Sequence, residues 1–70
     1  MRLVQFKNYK HPLPYKEFSV TWAVYLAVCS TINRHGLTSV SEVAKQVDET
    51  DEYTERILRL IEQDGHVELI

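Results

Sequence analysis

The spacing of apolar positions changes several times along the chain. Leu3-Val4-Gln5-Phe6 is a short apolar run with β-favouring residues and predicts a strand. Residues 7–16 contain Pro12 and Pro14. Each proline drives the residue before it into extended backbone, so this stretch predicts a loop or extended arm. Phe18, Trp22, Tyr25, Leu26, Cys29 and Ile32 then recur at helical spacing. They predict a first helix that starts within residues 17–19 and runs to Asn33 or Arg34. Gly36 supplies a stop, and Arg34 and His35 suit the negative end of the helix dipole. Val20, Ala23, Val24, Ala27 and Val28 fill most of the remaining circumference. A helix apolar nearly all round is either wrapped by its own domain or paired with a second copy. Trp22 and Tyr25 read as core or interface anchors. The β-branched content also suits a strand, but the length and the alanines favour helix.

Ser39-Val40-Ser41-Glu42 fits a capping box. Val40, Val43, Ala44 and Val47 follow at i, i+3, i+4 and i+7, which predicts a short second helix with one buried face. Asp48 and Glu49 interrupt it. A third helix is predicted from near Thr50 to Asp64, ended by Gly65. Its expected apolar stripe is Tyr53, Ile57, Leu60 and Ile61, widened by Leu58, with Glu52, Arg56, Arg59 and Gln63 opposite. His66-Val67-Glu68-Leu69-Ile70 predicts a terminal strand. That strand either pairs with residues 3–6 or offers an open edge to a second copy. The fold class expected is mainly α: three helices with short terminal β-strands. Residues 1–16 form an N-terminal strand and basic arm, and residues 17–70 the helical domain.

Seventy residues make one small domain, near the size where a lone core is marginal. Chains of this size often gain stability from a disulfide, a metal or a second copy. Cys29 is the only cysteine, so no internal disulfide can form. The start of the chain lacks the apolar core of a secretory signal, and its longest nearly apolar run, residues 20–29, is about half a membrane span. The expectation is a soluble, intracellular, cytoplasmic protein with no membrane partner. The net charge of −2 hides a division. Residues 1–36 carry five Lys/Arg against one acid, a net of +4, whereas residues 37–70 carry three against nine, a net of −6. Such asymmetry marks a basic arm for an anionic partner, an acidic face for a basic one, or two halves that neutralise each other. Tyr9 and Tyr15 lie among Lys7, Lys10, His11 and Lys16. Interleaved aromatic and basic residues can stack on bases and track phosphates, or the rings can pack on the domain while the lysines stay solvated.

Catalysis finds little to work with, so no enzyme activity, catalytic residue, metal or cofactor is expected. His11, His35 and His66 have no metal-ligand spacing with Cys29. The run Asp48-Glu49-Thr50-Asp51-Glu52-Tyr53 lacks the glycine a calcium loop needs at its sixth position. With Gly36 and Gly65 the only glycines, there is no phosphate-cradling loop.

Two stretches, residues 39–47 (SVSEVAKQV) and residues 57–67 (ILRLIEQDGHV), resemble the winged helix-turn-helix family. There a capped helix with a central alanine leads to a second helix that ends in a leucine-rich turn, E-x-D-G and a strand. The resemblance spans residues 22–70 if the first helix is included. It implies a DNA-binding transcription regulator whose motif places its second helix in the major groove of double-stranded DNA. By position it implies Thr50, Asp51, Thr54, Glu55, Arg56 and Arg59 on the groove side, with Arg56 and Arg59 foremost. Ser39, Ser41 and Lys45 would lie near the backbone, and Lys7 and Lys10 of the arm would add phosphate contacts. A homodimer would pack through Val20, Trp22, Val24 and Val28. The four acids within residues 48–52 depart from that pattern, because each opposes the counterion release that supplies most nonspecific affinity. A second function class is therefore kept beside the first: a protein-interaction module or inhibitor of the same fold, whose acidic face meets a basic protein surface.

Overall fold

Each helix begins at a hydroxyl side chain that accepts the backbone N–H three residues on. In the computed structural model, which describes residues 2–8 and 13–70, these caps are Ser19, Ser39 and Thr50. They take the amides of Trp22, Glu42 and Tyr53, each at 3.1 Å. Such caps satisfy N–H groups that have no partner inside the helix and contribute about 1 kcal/mol apiece. The helices are α1 (Val20–Thr31), α2 (Val40–Val47) and α3 (Asp51–Gln63), about half of the chain. The strands are β1 (Leu3–Phe6), β2 (Leu37–Ser39) and β3 (Val67–Leu69).

The strands form one antiparallel sheet in the order β2-β1-β3. Val4 stands opposite Thr38 on one side and Leu69 on the other, and Phe6 stands opposite Val67. Of the two options open for the terminal strand, pairing with residues 3–6 is the one adopted. Val4 is fully buried at the centre of the sheet. The core gathers Val4, Val67 and Leu69 from the sheet, Val24, Tyr25, Ala27 and Val28 from α1, Val40 and Val43 from α2, and Leu58 and Ile61 from α3. No helix among the described residues is long and apolar enough to cross a membrane.

Two boundaries differ from expectation. First, α1 stops at Thr31, and Gly36 does not terminate it. Ile32 turns into extended backbone while its N–H still reaches Val28 O at 3.0 Å. The Asn33 side-chain carbonyl then accepts from the amides of His35 (2.8 Å) and Leu37 (3.1 Å), a local turn that competes with further helix. Gly36, at φ +74°, completes this turn and delivers the chain into β2. Second, α3 is rotated from its expected face. Thr54, Leu58 and Ile61 point inward, Tyr53 and Ile57 are half-buried, and Leu60 is exposed. The i, i+4, i+7 set that packs is one residue later than the stripe read from Tyr53 and Ile57. The expected outer set, Glu52, Arg56, Arg59 and Gln63, is exposed.

The acidic run acquires a conformational explanation. Asp48 closes α2 in the left-handed region, φ +58°, where Asp is among the few non-glycine residues tolerated. The Glu49 amide then reaches back to Ala44 O at 3.0 Å. Asp51 and Glu52 occupy the first turn of α3, where their charge favours the positive end of the helix dipole.

Candidate functional site

The outer face of α3 holds the residues on which a nucleic-acid contact would depend. Thr50 is exposed, but its hydroxyl oxygen is engaged in capping α3. Thr54 is a correction: it is 0% exposed, carried inward by the rotation of α3, and cannot touch a groove. Its hydroxyl has no hydrogen-bond partner among the described residues. Arg56 and Arg59 are exposed and, with Glu52 and Glu55, line a shallow cleft of about 290 Å³. Arg59 is held at 3.3 Å by both Glu55 and Glu62. Glu55 also takes Arg2 at 3.6 Å, so the start of the chain lies beside this face. The result is a chain of alternating charge: Arg2, Glu55, Arg59, Glu62.

Glu62 has a further partner. Its carboxylate accepts the Leu69 amide at 2.9 Å, on the outer edge of β3. That hydrogen bond first, and Arg59 after it, hold the carboxyl below the usual carboxylate range. The same contact covers an edge amide that could otherwise pair with another strand.

The α2 side of the motif is similarly occupied. Ser39 is buried as the cap of α2, and the Ser41 hydroxyl donates to Asp51 at 2.8 Å, joining the starts of α2 and α3. Lys45 remains exposed. In the arm, Lys7 pairs with Glu68 at 3.6 Å. Tyr15 docks its ring edge-on against Tyr25 and His66 and donates its hydroxyl to Asp64 at 2.5 Å. Burial, reinforced by Asp64, raises the Tyr15 phenol far above its ordinary range. The expectation that the rings pack on the domain holds for Tyr15; Lys10, Tyr9 and His11 lie outside the described residues. His66 sits within this aromatic cluster, tilted against Tyr25, and His35 is exposed. Among the described residues no group of three or more His, Cys, Asp or Glu could hold a metal.

The expected dimer face divides. Val24 (2% exposed) and Val28 (0%) are sealed inside the chain's own core and are corrected from interface to core. They belong to the common core because one side of α1 is covered by α2 and α3. Val20 is exposed and Trp22 is half-buried. Two of the apolar residues at helical spacing are in the open: Phe18, 85% exposed, and Leu26, 40% exposed. Phe18, just ahead of the helix, and Trp22 and Leu26 on its outer side are spaced four apart, and the Phe18 ring leans on Trp22 at 5.4 Å. The stripe was visible in the spacing; which side of a doubly apolar helix faces outward was not. Cys29 is half-buried, and that burial pushes its thiol above the ordinary range.

Compared with protein-family models, with curated proteins and with solved structures, the chain matches none.

Proposed function

We propose that this chain is a protein-interaction module built on a helix-turn-helix, and that the acidic outer face of α2 and α3 docks a basic surface of another protein. The observation that carries this reading is the excess of carboxylates on that face and their hold on two of the cations there, Arg59 and the neighbouring Arg2. Arg59 is bound by Glu55 and Glu62, and Arg2 by Glu55. Residues 40–63 hold seven acids against three bases, a net of −4. The hydroxyls that a DNA backbone would recruit, those of Ser39, Ser41, Thr50 and Thr54, are capping, bonded within the chain or buried. A face so arranged repels phosphate and attracts Lys/Arg.

The sheet order favours a second reading. β1 lies between β2 and β3, where the returning strand of a wing would lie, which supports reading the whole as a winged helix with its wing strand supplied from the N-terminus. In that reading the chain is a DNA-binding transcription regulator. α3 enters the major groove through Arg56 and Arg59, with Lys45 and Lys7 on phosphates.

Fluorescence polarisation in low salt separates the two. A labelled lysine-rich peptide should bind, weaken as salt rises, and be lost in the Asp51→Asn, Glu52→Gln double variant. A labelled duplex should show no saturation up to about 100 μM, the weak end of ordinary nonspecific DNA binding. Duplex binding that disappears in the Arg56→Ala, Arg59→Ala double variant would instead establish the second reading.

A further inference from the structure

The outer side of α1 carries both halves of a self-complementary contact. One half is a projection. Phe18 is 85% exposed, and its backbone sits at φ +68°, a region that bulky L-residues rarely occupy. This strained backbone accompanies an aromatic ring held out in solvent. The other half is a recess of about 270 Å³ between α1 and α2, lined by Trp22, Ala23, Leu26, Ala27 and Ser30 with Gln46 and Val47. A cavity of about 150 Å³ is enough to hold a benzene ring, so this recess can take a phenylalanine side chain. Its lining is uncharged. A second depression shares Ala23 and Val47 with it and extends it to Val20 and Tyr53, with Glu49 as its charged residue.

We infer that this face binds a second copy of the same chain, related by a two-fold axis, with Phe18 of each copy seated in the other's recess between α1 and α2. A two-fold contact requires one patch to be complementary to itself, and a projecting ring beside a ring-sized apolar recess meets that condition. Charge does not oppose the contact: Lys16 and Glu17, side by side before the projecting ring, carry opposite charges, and the lining of the recess carries none. Size agrees as well. A chain of 70 residues is where a second copy adds most to a small core. The contact centres on Phe18, α1 and the end of α2 and needs no basic partner, so it is tested separately from the proposed function.

Sedimentation equilibrium on the full chain, from about 5 μM to about 500 μM to bracket micromolar affinity, tests the inference. The average mass should climb from the 8.2 kDa of one chain towards twice that value. Phe18→Glu should remain at 8.2 kDa throughout with an unchanged circular-dichroism spectrum, an association at least tenfold weaker. Phe18→Gly should also remain monomeric yet melt at a higher temperature when each is compared as a monomer, because glycine relieves the positive φ. That pairing distinguishes a lost contact from a damaged fold. In a mixture of isotope-labelled and unlabelled chains, the Phe18 ring should show nuclear Overhauser contacts to the Ala27 and Val47 methyls of the other copy. A native chain that stays at 8.2 kDa at the highest concentration, or a Phe18→Glu variant that still dimerises, overturns the proposal.

Discussion

Thr54 shows how a single position can be misread and why. Its sequence neighbours offer an exposed helix start, and its type suits a groove, yet it is fully buried with a hydroxyl that finds no partner among the described residues. A buried, unbonded hydroxyl carries a desolvation cost that an apolar group of the same shape avoids. Thr54→Val should therefore stabilise the fold by about 1 kcal/mol, measured as a rise in the urea midpoint at constant slope. A lowered midpoint would mean that the hydroxyl does have a partner. Glu62 makes the opposite case, since its carboxylate is used twice, by the Leu69 amide and by Arg59. Its folded-state pKa is depressed. The stability it adds is thus present above the unfolded glutamate value of about 4.3 and is lost as pH falls through the lower folded value. Glu62→Gln keeps the shape and removes the charge. The gap in stability between the native chain and this variant should be widest near neutrality and close as pH falls below about 4. A gap that stays constant down to pH 3 would place the carboxylate's role elsewhere.

Helix starts were legible because they depend on local chemistry. Ser39 is followed by Val40-Ser41-Glu42 and then by a clean i, i+3, i+4, i+7 face, and the helix begins there. Strand β1 matches the apolar run Leu3-Val4-Gln5-Phe6 residue for residue. What was hidden depends on partners distant in sequence. Strand β2 spans only three residues, Leu37–Ser39, with too little alternation to announce itself, and it exists because Val4 and its neighbours pair with it. The facing of α3 could not be chosen from its own residues, because Leu58 and Leu60 are equally apolar and the core decided which one to bury. The same ambiguity hid the outer stripe of α1 and with it half of the candidate surface. Asp48 was legible as an interruption but not as a left-handed terminator at φ +58°. Asp48→Gly removes the strain of that conformation and should raise stability by about 0.5–1 kcal/mol. Ser39→Ala should lower it by about 1 kcal/mol. Both are read by thermal melts, and together they set the worth of the two ends of α2.

At the scale of the molecule, the basic N-terminal segment and the acidic C-terminal half meet. Arg2 reaches Glu55 and Lys7 reaches Glu68, so part of the charge division in the sequence is an internal pairing. These pairs are about half exposed, and contacts of that kind contribute little to stability. The contribution that closes the fold comes from Val4. It is the one fully buried side chain of the central strand, it is flanked by β2 and β3, and it belongs to the core built by all three helices. Without β1 the two outer strands have no common neighbour, and Val67 and Leu69 lose the surface they pack beside. Val4→Ala should therefore cost about 2 kcal/mol through lost transfer energy and a cavity. A domain of this size holds only roughly 4–10 kcal/mol in total. Val4→Asp should abolish the cooperative melt altogether, because a carboxylate there would be buried among apolar side chains. Hydrogen exchange gives the sharper reading. If β1 locks the whole sheet, Val4→Ala should accelerate exchange of β3 amides and α3 amides by a similar factor, as one cooperative unit. Acceleration confined to residues 3–6 would show instead that β1 is an appendage and that the helices stand without it.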